Sequence, residues 1–288
     1  MLYLNPEDTR RALPMTDAVE AMAHAFSGDA EMPLRQLVGV SLVMPGRLDD
    51  HMAVKVVSSV PGNPAGIVVV FGPDGSPIGI VDGPTLTAIR TGAVCGLATK
   101  LLAPEKPVTL AALGAGAMGF DQIEAIRAVR PLARILVWSR DPEKARALAG
   151  RVGGEAITDR EAAVAEADVV SCATPSREPL FRAESVRPGA HLNAVGAFTP
   201  EMAELPPGAL HDGFVVVDDR EAAAAEAGDL IQAGREPDAT LRDLLTGAVT
   251  PPEGKTTVFK SVGVAAQDVA AGWRALENAA RMGIGVRL

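Results

Sequence analysis

The sequence predicts an α/β chain made of a doubly wound parallel sheet and a smaller, β-rich α+β body, and three features of its pattern carry that expectation. From about residue 106 onward, short continuous apolar runs alternate with stretches of helical spacing, as a parallel sheet covered on both faces requires. A glycine-rich turn, at residues 114–119, closes the first of those runs. Before residue 83 the apolar runs instead follow one another across turn residues, the texture of an antiparallel element.

Taken in order, TDAVEAMAHAFS (16–27) puts Val19, Met22, Ala23 and Phe26 on one helical face, with Thr16 or Asp17 as the cap. LVGVSLVM (37–44), MAVKVVSS (52–59), GIVVVF (66–71) and PIGIVD (77–82) read as strands. Between the last two, Pro73-Asp74-Gly75-Ser76 is a hairpin turn in which Gly supplies the positive φ. After Gly83-Pro84, TLTAIRTGAVCGLATKLLA keeps helical spacing until Pro104 and Pro107 break it, and those prolines mark the expected domain boundary. Strands follow at VTLAALG (108–114), RILVWS (134–139), DVVSCAT (168–174), HLNAVG (191–196), FVVVD (214–218) and TTVFKS (256–261), with helices between them. EAAAAEAG (221–228) is an alanine-rich helix whose Gly228-Asp229 reads as a C-terminal cap and solvated turn. The helical run VAAQDVAAGWRALENAARMG ends at Gly283 and is expected to pack back on the first body. The expected division is therefore 1–105 with 264–288, and 106–263.

Composition narrows the function. Of the 288 residues 48% are hydrophobic but only 3% aromatic, so the core is built from Ala, Val, Leu, Ile and Met. A net charge of −9 argues against a nucleic-acid or anionic-membrane partner, which would draw on a surplus of Lys and Arg, and points to a small molecule instead. Cys95 and Cys172 are too few for a disulfide framework and too far apart for a zinc pattern, so a reducing cytoplasm is the expected compartment. The start MLYLNPEDTRRALP carries charges where a signal peptide needs an apolar stretch, and no uncharged run reaches the roughly 20 residues of a membrane span. His24, His51, His191 and His211 have no metal-ligand spacing, and no metal is expected.

Gly114-Ala115-Gly116-Ala117-Met118-Gly119 is a G-x-G-x-x-G that follows a strand and opens a helix, the context of a Rossmann-type dinucleotide turn. The first Gly makes the tight turn, the second lets backbone approach the pyrophosphate, and the third packs helix on strand. NAD binding usually places an acid about 20 residues further on, at the end of the second strand. Ser139 stands there instead, followed by Arg140, Lys144 and Arg146, a cluster suited to a 2′-phosphate. NADP(H) is favoured, with NAD(H) as the alternative. Asp141, before Pro142, reads as a helix N-cap rather than the missing acid.

Eight blocks in order, MPLRQL, AVKVVSSVPGNP, IVDGPTLTAIRTGAVCGLATKLLAP, LGAGAMG, ADVVSCATPSREPLF, PGAHLNAVGAFTPEMAEL, EAGDL and TTVFKSVGVAAQDVAAG, give the chain a resemblance to the ornithine cyclodeaminase/mu-crystallin family. That resemblance implies a nicotinamide cofactor, a Rossmann domain, a substrate domain that forms a homodimer, and a small imino or amino acid substrate. It places Arg35, Lys55 and Arg90 as the basic substrate contacts, with Lys55 and Arg90 catalytic. It places the cofactor against Thr91, Gly114, Ala115, Gly116, Ala117, Met118, Ser139, Arg140, Lys144, Ala173, Thr174, Val195, Gly196, Ser261 and Gly263. Independently, three cations on different elements could converge on one carboxylate. Lys55, between Val54 and Val56 in an apolar strand, is expected to be buried near an anion, with its pKa lowered by apolar walls and neighbouring cations.

Two departures from the family pattern matter. Cyclodeaminases and archaeal alanine dehydrogenases of the family carry an Asp two residues after the Val-Gly of the HLNAVG-like block, where this chain has Phe198, a hydrocarbon at the substrate site that can act neither as base nor as counter-ion. The resemblance thus leans to the ketimine-reductase branch and to NADPH-dependent reduction of a carboxylate-bearing imine. The alternatives are ornithine cyclodeamination and a non-catalytic, crystallin-like NADP-binding role. The chain is also shortened after Pro61-Gly62-Asn63-Pro64, so part of the usual substrate wall is missing. Asp229 and Cys172 read as a turn residue and a small buried residue.

Overall fold

A short strand, β1 (Leu2–Leu4), leads into two helices that bury the first apolar face of the chain. In α1 (Pro6–Ala12) the Asn5 side chain accepts the Asp8 N–H and Pro6 takes the first helical position, a start signal not exploited in the sequence reading. Helix α2 (Met15–Ser27) buries Val19, Met22 and Phe26 as expected, but Pro14 occupies the cap position and neither Thr16 nor Asp17 caps it. There follow β2 (Ala30–Glu31), β3 (Gln36–Val38), β4 (Ser41–Leu48), β5 (His51–Ser58), β6 (Gly66–Phe71) and β7 (Pro77–Asp82). The run expected as one strand over 37–44 is two, because Gly39 at φ +60° reverses the chain and β3 pairs antiparallel with β4. In the β6–β7 hairpin Gly75 takes φ +78°. The antiparallel register sets Met44, Lys55 and Val68 side by side across β4, β5 and β6. The computed structural model describes residues 1–58, 60 and 65–288, so Pro61-Gly62-Asn63-Pro64, where the chain is shortened, lies outside the described residues.

Helix α3 (Gly83–Leu102) starts with Asp82 Oδ1 accepting the Thr85 N–H at 2.9 Å. Beyond it the chain alternates: β8 (Val108–Leu113), α4 (Gly119–Val129), β9 (Leu132–Trp138), α5 (Pro142–Val152), β10 (Glu155–Ala156), α6 (Arg160–Glu166) and β11 (Val169–Cys172). The second half holds β12 (His191–Ala194), α7 (Pro207–Asp212), β13 (Phe214–Val217), α8 (Arg220–Glu226), α9 (Gly228–Ala233), β14 (Ala239–Thr240), α10 (Leu241–Leu245) and β15 (Thr257–Lys260). These strands form one sheet in the order β10-β9-β8-β11-β12-β15-β13-β14, with every neighbouring pair parallel. The chain leaves β8 toward β9 on one side and later returns to β11 on the other, which makes the β8–β11 edge the topological switch point of a doubly wound sheet.

The last elements are α11 (Ala265–Met282), stopped by Gly283 at φ +66°, and β16 (Val286–Arg287). Residues Met1–Ala93 and Val264–Leu288 make one compact unit, Val94–Gly263 the other. The expected boundary at 105/106 therefore moves to 93/94, inside α3. The reason is local to the second unit: Thr99 Oγ1 accepts from Asn193 Nδ2 at 3.0 Å, and the Arg130 guanidinium donates to the carbonyls of Lys100, Ala103 and Pro104. The prolines end the helix without dividing the fold.

In the first unit the sheet order is β16-β1-β7-β6-β5-β4-β2, with β3 also on β4, and α11 lies against it. Small residues let the helix come close. A Cβ added at Gly46 would stand 2.6 Å from Ala265 Cβ, and one at Gly272 would stand 2.9 Å from Val70. Among the described residues no helix is long and apolar enough to cross a membrane.

This close approach sets a test. Gly46→Ala should destabilise the protein by about 1–3 kcal/mol through overpacking, whereas Gly150→Ala, on α5 with nothing within 4 Å of the added methyl, should stabilise it by up to about 1 kcal/mol. Paired thermal and urea denaturation of the two variants would check both signs.

Candidate functional site

The glycine turn at the end of β8 has the shape its spacing predicts. Gly114 takes φ +126°, and a Cβ there would press within 2.5 Å of the Ala173 carbonyl. Around Gly116 nothing lies within 4 Å of an added Cβ, so its backbone borders open space. At Gly119 a Cβ would meet the Gly114 carbonyl at 2.6 Å and Leu148 at 2.9 Å, which is the close packing of α4 on the turn. No side chain caps the start of α4 at Met118. An open cradle above an uncapped helix start fits a dinucleotide pyrophosphate.

At the end of β9 no acid is present. Asp141 caps α5 by accepting the Glu143 N–H at 3.0 Å, as the sequence indicates, and Ser139 Oγ accepts the Asp141 N–H. Arg140 and Lys144 are exposed. Arg146 leaves the expected cluster, because its guanidinium pairs with Glu143 one helical turn back. A cation absent from the sequence reading, Arg160, lies over the Trp138 ring, 4.9 Å from its centroid.

Two buried carboxylates hold the strand ends. Glu204 accepts from the Thr174 N–H (2.6 Å) and Oγ1 (2.9 Å) and from the Gly196 N–H (2.7 Å), with Ala197 N–H at 3.3 Å. It thereby ties the loop after β11 to the loop after β12, and burial pushes its carboxyl up to about 6. Asp218, also raised by burial, accepts from Ser261 Oγ (2.7 Å) and from the Val262 and Gly263 N–H groups. Ala173 and Val195 continue the strands, their N–H groups donating to Leu113 and Cys172 carbonyls. Thr174, Gly196, Ser261 and Gly263, expected at the cofactor, thus stand at strand ends with these donors already engaged by protein carboxylates. Phe198 follows on the β12 loop with 40% of its surface exposed.

Asp229 is not a solvated turn residue. The chain turns at Gly228 straight into α9, close against the Met202 and Thr199 carbonyls, and Asp229 is buried. Its Oδ1 accepts the N–H groups of Glu204 and Leu205, and its Oδ2 lies 2.7 Å from the fully buried Lys260 Nζ, which also donates to the Ala197 carbonyl. Cys172 is buried, and the loss of solvent together with Glu204 and Asp229 raises its pKa, which leaves an inert thiol. His191 is buried between Thr257 and Asn193, and desolvation lowers its pKa to about 4. His51 stacks on Trp273 at 4.1 Å and His24 pairs with Asp49.

In the other unit, Lys55 points inward from β5 with 2% exposure, on the same side as the buried Ala53. Its Nζ lies 2.7 Å from Asp268 Oδ2 in the first turn of α11. Arg90, on α3, places Nε 3.4 Å from Asp268 Oδ1 and donates from Nη1 to Gln267 Oε1 at 2.7 Å. Burial lowers the Lys55 pKa to about 8; Asp268 opposes that shift, while the charges of Arg90 and Arg35 add to it. The structure therefore brings Lys55 and Arg90 together and sets Arg35 within electrostatic reach. Thr91, next to Arg90, is also buried in this unit. Among the described residues, six buried side-chain nitrogen or oxygen atoms lack a hydrogen-bond partner, and four of them are Arg90 Nε, Gln267 Nε2 and the two Asp268 oxygens. The two Asp268 oxygens are held in ion pairs, Oδ2 with Lys55 and Oδ1 with Arg90. Gln267 Nε2, a buried donor without an acceptor, beside two cations that share one carboxylate, marks a site for an anionic polar ligand. Gln267 and Asp268 were not identified from the sequence. The available signal was a polar pair inside the otherwise apolar VAAQDVAAG run.

Known proteins are similar to this chain in sequence and fold. The profile of the ornithine cyclodeaminase/mu-crystallin family matches residues 11–283. The ketimine reductase mu-crystallin of Mus musculus is 33% identical over 276 residues, covering 90% of this chain and 88% of its own. The structure of Thermococcus litoralis Δ1-pyrroline-2-carboxylate reductase in complex with NADH and L-proline superposes with a TM-score of 0.93 at 30% identity, covering 100% of both chains. An archaeal alanine dehydrogenase dimer with bound NAD superposes at 0.91 and 28% identity, covering 100% of this chain and 98% of that one.

Glu204 yields a signed prediction. In Glu204→Gln an amide NH2 must face either the Thr174 or the Gly196 donor, which should cost about 1–3 kcal/mol in urea denaturation. Because burial raises its pKa from 4.5 to about 6, the folded protein binds the proton more tightly than the unfolded chain. The Glu204 contribution to stability should therefore grow as pH falls from about 6 toward 4.5, and that component should vanish in the Gln variant.

Proposed function

The chain belongs to the ornithine cyclodeaminase/mu-crystallin family, and from that premise we propose that it is an NAD(P)H-dependent reductase of small imines that bear a carboxylate. The observation that carries this reading is the buried cluster of Lys55 and Arg90 around Asp268, with Arg35 nearby, in a chain that has Phe198 where cyclodeamination would need an acid. Relatives that act on imines, the ketimine reductase and the pyrroline-2-carboxylate reductase, support it.

In this reading the unit Val94–Gly263 binds the cofactor and the unit Met1–Ala93 with Val264–Leu288 binds the substrate. Arg90 and Arg35 bind the substrate carboxylate, Arg90 through the N–H groups not directed at Gln267 and Asp268. A nicotinamide cofactor held at the Gly114–Gly119 turn would supply the hydride for the imine carbon and would itself be oxidised. Lys55 Nζ gives a proton to the imine nitrogen, so that C=N becomes CH–NH, and the neutral amine of Lys55 regains its proton from solvent. A pKa near 8 suits that task, since the group is charged at neutral pH yet gives up its proton readily. Phe198, where cyclodeaminases of the family carry an Asp, is a hydrocarbon that holds no proton.

The cofactor we favour is NADPH, with Arg140 and Lys144 on its 2′-phosphate and Ser139 in place of a ribose-binding acid. We also propose a homodimer in the cytoplasm. The face of β5 and β6 opposite Lys55 exposes Met52, Val56 and Ile67, with Val38 of β3 on the same side, an apolar face of the kind that a second copy covers. The archaeal relative is itself a dimer. Two cysteines, too few for a disulfide framework, suit a reducing compartment.

Following NADPH absorbance with a panel of cyclic and acyclic imino acids tests the activity, with ornithine assayed separately for proline. Imine-dependent NADPH loss is expected; ornithine turnover without cofactor consumption, or silence on every imine, would reverse the assignment. Lys55→Met should abolish turnover while retaining cofactor binding by fluorescence titration. In the wild type kcat/KM should fall as pH rises through about 8, where Lys55 loses its proton. Arg140→Ala should raise KM for NADPH by roughly tenfold to a hundredfold, the worth of a charged hydrogen bond, and leave NADH unchanged.

A further inference from the structure

Asp268 is the residue around which both candidate catalytic cations are arranged, and its carboxylate divides between them. Oδ2 lies 2.7 Å from Lys55 Nζ on β5, and Oδ1 lies 3.4 Å from Arg90 Nε on α3. All three side chains are buried, Asp268 to 1% exposure. We infer that Asp268 is a positioning residue of the reaction, the fixed carboxylate that aims Lys55 and Arg90 and keeps Lys55 charged until the imine nitrogen takes its proton. The inference rests on the reading of Lys55 as the proton donor.

Three features support it. The buried set of Lys55, Arg90 and Asp268 has a net charge of +1, which one substrate carboxylate neutralises. Without Asp268 the same volume would hold two cations and no anion, a state that buried lysines escape by losing their proton. Second, each Asp268 oxygen meets its own cation, Oδ2 with Lys55 and Oδ1 with Arg90, so one carboxylate acts on both neighbours by charge. Third, the adjacent Gln267 fixes the other cation. Arg90 can only donate, so Gln267 must present Oε1 to it, and the Nε2 donor is left buried without an acceptor. A substrate carboxylate is the kind of group that takes up such donors. The charged groups acting on Lys55 come from three directions: Asp268 on α11, Arg90 on α3 and Arg35 in the segment before β3. Burial and the two arginines favour the neutral amine, and Asp268 opposes them.

The chain has six lysines, so 13C-labelled lysine side chains give few NMR signals, and Lys55→Met identifies that of Lys55. In Asp268→Asn the Lys55 titration and the alkaline limb of the kcat profile should both move to lower pH by one unit or more. Above the limb this lowers kcat about tenfold at fixed pH, one unit of pKa being a factor of ten in the protonated fraction. Asp268→Glu keeps the charge and should lie between the two. An Asn variant whose Lys55 titrates as in the wild type overturns the inference. A Lys55 titration that moves while the kcat limb stays overturns the assignment of Lys55 as donor and leaves the Lys55–Asp268 coupling standing, so the two failures are distinct. Should the Asn variant not fold, Asp268→Glu carries the test, because displacing the same charge by one methylene must shift both curves; curves identical to the wild type overturn the inference.

Discussion

An ammonium group at 2% exposure needs an anion beside it, and in this protein Asp268 answers Lys55. Removing a charge from water costs several kcal/mol even after relaxation, so the first unit must bring a strand and a distant helix into register at this point. β5 presents Lys55 inward between outward-facing neighbours, and α11 comes down onto the sheet where Gly46 and Gly272 leave room for it. The backbone approach and the ion pair are thus one constraint: the glycines allow the distance at which the charges can pair. Arg90, tied to both Gln267 and Asp268, joins α3 to the same arrangement.

The second unit solves a related problem with carboxylates in place of cations. Glu204 and Asp218 each collect several N–H and O–H donors at the ends of parallel strands, where the ladder stops and backbone groups would otherwise be buried without partners. Lys260 and Asp229 then balance charge behind Glu204, with Asp229 also taking the N–H of Glu204 itself. Loops shaped in this way are held from beneath by buried charge, which leaves the open side of the Gly114–Gly116 turn to a ligand.

Much of this was legible in the sequence because it depends on local rules. Alternation of apolar runs with helical spacing reports a parallel sheet, and a positive-φ glycine after a strand reports a tight turn, whatever lies elsewhere in the chain. Misjudgements arose where a local rule met a tertiary one. Gly39 broke a run that looked like one strand. Pro104 and Pro107 ended α3, but side-chain hydrogen bonds from Asn193 and Arg130 drew the end of that helix into the second unit. Gly228-Asp229 has the composition of a helix stop, yet packing against Met202 and Thr199 and the charge of Lys260 make it the buried start of a helix. Arg146 counted toward a phosphate cluster until Glu143, one turn away, claimed it.

By itself the sequence determined the two-part α/β plan, the dinucleotide turn, the lack of an acid after β9, and Lys55 and Arg90 as cations worth watching. These follow from periodicity, turn geometry and residue chemistry over a few neighbours. Only the tertiary structure decided which acid meets which base: Asp268 with Lys55 and Arg90, Asp229 with Lys260, and Glu204 with the loops after β11 and β12. Pairing of that kind is set by desolvation, a property of everything surrounding a group in space, and no stretch of sequence around Lys55 contains the helix that neutralises it.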